Sequence, residues 1–173
     1  ALALFLYKGN TKYISYICKN IDKTDDNLII GNIIKFNNFK GESLMHLAAK
    51  SLNINCVSAL LGICENFQNL KSRLLLSIDN KYDNPFGVYL NTAINAKSTE
   101  IVSFVKYYLS NIRKAKDRLR LITSTNFDNL IPLNCYLIQE TVFGATKLFQ
   151  TILSFIPNLT DSNDISSLGL ILG

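Results

Sequence analysis

His46 is the only histidine in the chain, and so the one side chain whose ordinary pKa suits it to general-base work near neutral pH. A Ser or Cys nucleophile needs such a base within hydrogen-bond reach, so any triad would have to pass through this residue. Zinc needs several His, Cys or carboxylate ligands converging on one point. The four cysteines, Cys18, Cys56, Cys64 and Cys135, form no C-x-x-C pair and fall on apolar positions of predicted helices. They read as reduced core thiols in a reducing, cytoplasmic compartment. Carboxylates gather at Asp25 and Asp26 and again at Asp161 and Asp164, both at predicted helix starts, where capping of free backbone amides accounts for them. Neither G-x-x-x-x-G-K-[ST] nor G-x-G-x-x-G occurs. These residues predict no catalytic centre, no metal and no cofactor.

The net charge of +5 directs attention to Arg113, Lys114, Lys116, Arg118 and Arg120. On a helix these residues spread around the exposed side, and Asp117 interrupts them, so the run reads as a solvated face. Its functional alternative is an anionic partner: an acidic protein surface, a phosphoinositide or nucleic acid. No aromatic residue is interleaved with the run, so base stacking is not indicated. At 173 residues and 48% hydrophobic content the chain can bury a core and is not of the disordered class. No stretch approaches the roughly 18 apolar residues of a membrane span. Residues 1–7 look like a signal-peptide core but lack a basic segment before them and a cleavage site after them.

The elements that must position these side chains repeat. With His46 as the register mark, Ala3, Asn91 and Asn134 stand at like places, at spacings of 43, 45 and 43 residues. After His46, Cys56, Val57, Leu60 and Leu61 lie at helical spacing; Glu100, Ile101 and Val102 follow Asn91, and Pro132 and Leu133 precede Asn134. Gly9 falls between two predicted helices. A third short helix is expected in each of the first three units, at 24–34, 69–78 and 110–122, each with a capping-type start. In the first unit Tyr13, Ile14, Ile17 and Cys18 are the expected inward face, and a long helix is expected over 142–156.

Three predicted fingers separate the units, over 35–42, 79–87 and from 126 onward. Each needs a residue tolerant of positive φ at its turn, assigned to Gly41, Asn84 and Asn129. Each also carries an aromatic two places earlier: Phe39, Tyr82 and Phe127. Such rings either form a contact row for a partner or pack on the neighbouring finger.

The stretch 41–62 resembles the ankyrin motif, G-x-T-P-L-H-x-A-A followed by x-x-x-V-x-x-L-L. Its period here exceeds the usual length of about 33 residues by roughly ten, as in effector-like proteins of intracellular bacteria. The resemblance implies a mainly α solenoid of helix pairs, with a third short helix per unit and short β-hairpin-like fingers. The units are 1–35, 36–78, 79–122 and 123–173, cut from a longer chain. It implies a structural role for Gly41, His46, Asn91 and Asn134, with no enzymatic activity. It further implies a monomeric scaffold that binds a protein, such as a host protein, through finger tips and a concave helical face. The expected contacts are Phe39, Lys40, Tyr82, Asp83, Phe127 and Asp128, with Lys50, Asn95 and Gln139 from first helices. The alternative is a structural spacer in a larger effector or enzyme.

Overall fold

The computed structural model describes residues 2–14, 16, 31, 33, 35–65, 68–93, 96–131, 133 and 142–156. Among them the protein is mainly helical and contains no strand. Backbone contacts divide the chain into two compact units, Ala1–Pro85 and Phe86–Gly173.

The first unit holds α1 (Leu2–Tyr7), α2 (Leu44–Lys50), α3 (Ile54–Ile63) and α4 (Gln68–Leu75). Ser43, in extended conformation, stops the chain from entering α2 any earlier. Asn53 starts α3: its side-chain oxygen accepts the Asn55 N–H at 3.0 Å, which satisfies one of the amides a helix start leaves bare. On α3 the stripe of Cys56, Val57, Leu60 and Leu61 is fully buried, as its spacing requires. Helix α2 packs against α1, α3 and α4, which explains why all its residues from Leu44 to Ala49 are buried.

Two inter-helix turns in this unit adopt the left-handed conformation, at Gly9 (φ 68°) and at Leu52 (φ 55°). Glycine does so without steric penalty; a leucine does not. The Asn53 amide donates to the Gly9 carbonyl at 3.2 Å, tying one turn to the other. Ile14 is buried, as expected, but Tyr13 is 53% exposed. Its ring leaves the core to stack on Phe5, with centroids 4.2 Å apart. Ile17, Cys18 and nearly all of the expected helix over 24–34 lie outside the described residues.

The second unit contains α5 (Pro85–Thr92, whose first residue closes the first unit), α6 (Ser98–Ser110), α7 (Ala115–Thr123) and α8 (Val142–Leu153). Ile101, Phe104, Val105, Tyr108 and Leu109 form the apolar stripe of α6 and are all buried; α6 packs against α8. Tyr89 of α5 stacks on Phe104 at 3.4 Å between centroids. Burial, reinforced by Glu100, pushes the Tyr89 phenol up to about 12, and complete burial raises Tyr108 well above its ordinary value. The stack is therefore uncharged at neutral pH. The helix expected from Ser110 starts later, at Ala115, because α6 continues through Ser110. Helix α8 ends at Leu153, short of the expected 156.

One member of the basic run has left the solvated face. The half-buried Arg118 guanidinium donates to the carbonyls of Ile112 at 2.7 Å, Phe155 at 3.0 Å and Arg113 at 3.4 Å. It thereby holds the turn after α6 against the end of α8. Arg118→Ala is expected to destabilise the protein by about 2 kcal/mol, since charge-assisted bonds to carbonyls are lost together. Arg118→Lys should recover little, because a single ammonium cannot span three carbonyls. Urea denaturation of the two variants checks this.

Candidate functional site: the finger edge

Each finger is the same five-residue turn, opened by an Asn or Asp. In the first, Gly41 N–H donates to the Asn38 carbonyl and Asn38 N–H to that of Glu42. The Asn38 side-chain oxygen accepts from Lys40 and Glu42 N–H. The second repeats this with Asp79, Tyr82 and Asp83, and the third with Asn126, Asn129 and Leu130. This is a hairpin turn closed by a left-handed residue, although no paired strands flank it among the described residues. The left-handed residues are Gly41 (φ 75°), Tyr82 (φ 60°) and Asn129 (φ 57°).

This register corrects two expectations. The second turn residue is Tyr82, not Asn84; Asn84 is buried at the position that Ser43 holds before α2. Counting from Asn38, Asp79 and Asn126, the residue equivalent to His46 is Gly87 and not Asn91, which is exposed near the end of α5. Asn134 keeps the His46 register but lies outside the described residues. The aromatic row is broken as well: Asn80 stands where Phe39 and Phe127 stand, and Tyr82 is the left-handed residue itself.

Two buried groups brace this edge: His46 ties the first finger to the second, and Glu42 ties the first finger to α2. His46 Nδ1 accepts the Ser43 backbone N–H at 3.1 Å, so Nε2 carries the ring proton and donates to the Asp83 carbonyl at 2.9 Å. Burial lowers the His46 pKa from its ordinary value, outweighing the Asp83 carbonyl and the Asp79 and Glu42 carboxylates, which favour the cation. Ser43 Oγ lies 2.8 Å from Nδ1, the spacing of a nucleophile and its base. Nδ1 thus faces both the Ser43 backbone N–H and the Ser43 hydroxyl, and the ring caps α2 and bridges it to the second finger. Ser43 Oγ also meets Ser77 Oγ at 2.9 Å, in the wall of an open cleft of about 460 Å³ that Asn37, Arg73 and Ile78 also line.

The second group is Glu42. Burial alone would raise its pKa, but hydrogen bonds from Lys50 and Asn38 outweigh that and hold the carboxyl below its ordinary value. Lys50 was expected to face a partner; its ammonium instead pairs with the buried Glu42 carboxylate. The two turns themselves are joined where Asn80 N–H donates to the Lys40 carbonyl at 3.0 Å and the Asn80 amide to that of Phe39 at 3.3 Å.

Of the expected contacts, Phe39 is 86% exposed, Phe127 70% and Tyr82 55%. Lys40 and Asp128 are exposed too. Exposure of this size rules out close packing of the Phe39 ring on the next finger; the Lys40 ammonium sits 5.6 Å from its centroid. Asp83 is half-buried and lends its carbonyl to His46. Asn95 and Gln139 lie outside the described residues. Exposed Lys81, beside Lys40, is a candidate the sequence reading passed over. Its neighbour Asn80, which bonds the first finger, is the signal that would have found it.

Cys56 and Cys64 are buried, and burial raises the Cys56 thiol despite a hydrogen bond from Ser51. Cys18 and Cys135 are outside the described residues. Among the described residues no group of three His, Cys, Asp or Glu is placed to hold a metal ion, and no helix is long and apolar enough to cross a membrane. Comparison with protein-family models, with curated proteins and with solved structures returns no match for this chain.

Proposed function

We propose that the chain is an ankyrin-type repeat array that acts as a protein-binding scaffold without chemistry of its own, and that the finger edge is its contact surface. The observation that carries this reading is the presentation of Phe39. Its large apolar ring stands 86% exposed on a turn whose N–H groups at 38, 40, 41 and 42 are all hydrogen-bonded within the turn. A ring held out on so rigid a mount loses little conformational freedom on binding, and aromatic side chains dominate binding hot spots. Support for the repeat comes from the recurrence of one turn, hydrogen bond for hydrogen bond, at Asn38, Asp79 and Asn126. It also comes from packing within each unit, of α1 on α2 and of α6 on α8, which are helices of like order in successive repeats.

The reading is tested by placing a photo-crosslinking phenylalanine analogue at Phe39, and separately at Ser58 on the exposed side of α3, in cells that make the protein. The expected result is a discrete protein adduct from position 39 and none from position 58. Equal labelling at both sites, or none at 39, overturns the scaffold reading.

A further inference from the structure

An open cleft of about 460 Å³ lies at the foot of the first finger, a volume in the range of ligand pockets. Its walls include Asn37 before that finger, Ser43 after it, Arg73 and Leu74 of α4, and Ser77 and Ile78 just beyond α4. All of them belong to the first unit.

The buried wall has its proton order set from within. His46 Nε2 donates to the Asp83 carbonyl, so Nδ1 has no proton to give, and Ser43 Oγ, 2.8 Å away, donates to it. Ser77 carries one hydroxyl proton, and that proton is drawn inward, toward Ser43 Oγ and the Leu74 carbonyl, each 2.9 Å away. Toward the cleft Ser77 therefore presents lone pairs, and it accepts.

Four residues before Ser77, about one helical turn, stands the exposed Arg73, whose guanidinium is a planar fork of donors. No described residue accepts from it. Leu74 beside it is buried, and Ile78 is 55% exposed. A donor fork, an acceptor and an aliphatic wall thus meet in one cleft. Among the described residues no carboxylate lines it, but Glu42 and Asp79, next to Ser43 and Ile78 in the chain, keep their charge nearby. That charge opposes a second acid or a phosphate dianion. What remains is the bidentate match of Arg73 to a single carboxylate.

The complement of these walls is a group that joins one carboxylate, one N–H and one apolar side chain, and the last residue of a polypeptide is such a group. We infer that the cleft binds the C-terminal residue of a partner protein that ends in an aliphatic side chain. Arg73 takes the carboxylate, Ser77 accepts the amide N–H, and Ile78 packs on the side chain. This rests on the scaffold reading above and adds which part of the partner is recognised. Asn37 and Phe39 belong to neighbouring positions of one finger, so a single partner chain reaches both.

The test uses the intact chain, immobilised, and pools of short random peptides ending in Leu, Ile or Val, made with a free C-terminal carboxylate or as the carboxamide. Sequences enriched from the carboxylate pool should bind about tenfold or more tighter than their carboxamides by fluorescence anisotropy. Arg73→Gln should remove that preference, and Arg73→Lys should restore little of it. Both variants change an exposed residue, so their melting temperatures should match that of the natural chain. Ile78→Asn should weaken both forms of the peptide, and Lys81→Gln, outside the cleft, should weaken neither. Enrichment from neither pool, equal binding of carboxylate and carboxamide, equal binding of a carboxamide whose acid is an internal Asp, or a preference that survives Arg73→Gln overturns the inference. If position 39 crosslinks a protein while any of these is found, the scaffold reading stands and this inference falls.

Discussion

His46→Ala is expected to lower stability by about 4 kcal/mol, the largest effect of any single change considered. The ring is fully buried, and truncating a buried ring to a methyl costs about 3–5 kcal/mol through lost contacts and the cavity left behind. It would also strip the Ser43 N–H of its acceptor and the Asp83 carbonyl of one donor, at about 1 kcal/mol or more for a buried donor left bare. His46→Asn keeps a donor and an acceptor on a shorter stem and should recover part of the loss. The same residue makes stability pH-dependent. Its folded-state pKa lies below the ordinary 6.5, so as pH falls the unfolded chain takes up the proton first. Its contribution is complete above 6.5 and declines as pH drops toward the folded value. Glu42, also held below its ordinary 4.5, contributes fully above that value and loses its contribution as pH falls through its folded pKa. The His46 window opens at the higher pH. Urea denaturation across this range should show a decline setting in below 6.5 in the natural chain and absent from His46→Asn, whereas the decline below 4.5 should remain in both.

Gly41→Ala is expected to cost about 3 kcal/mol, and the comparison with Gly9→Ala shows why. Both glycines are left-handed, and an L side chain there is penalised by about 1–2 kcal/mol. Around Gly9 a new Cβ would find its nearest neighbours at 3.8 Å, an ordinary contact. Around Gly41 it would lie 2.9 Å from the Asn80 backbone nitrogen and 2.9 Å from the Asn80 Cγ, so the second finger must move. That movement breaks the Asn80 to Lys40 hydrogen bond that joins the fingers, adding about 1 kcal/mol. Calorimetry should therefore find Gly41→Ala markedly less stable than Gly9→Ala. Equal losses would mean that the fingers do not touch.

How far the fold was legible depended on which pattern carried it. Periodicity marked the buried stripe of α3, because a helix that buries one face must place its apolar residues there whatever it packs against. Gly9, Gly41 and Asn129 were legible for a similar reason: few residue types accept a left-handed backbone, and these are among them. Tyr82 hid the same conformation behind a residue that rarely adopts it, which moved the expected turn to Asn84. The slip from Gly87 to Asn91 has a further cause. Four residues make about one helical turn, so an apolar pattern displaced by four looks nearly unchanged. The side-chain hydrogen bonds of Asp79 set the register instead.

By itself, then, the sequence determined the helical class, the apolar stripes and the recurrence of fingers, all consequences of local backbone preference and of the 3.6-residue repeat. Only the tertiary structure decided which charged and polar groups remain available. Lys50 is drawn to Glu42 by the burial of that carboxylate, Arg118 to the Phe155 carbonyl 37 residues away, and His46 to the Asp83 carbonyl 37 residues away. Such pairings follow from which bare backbone or buried charge lies within reach after packing, a condition that no spacing along the chain encodes.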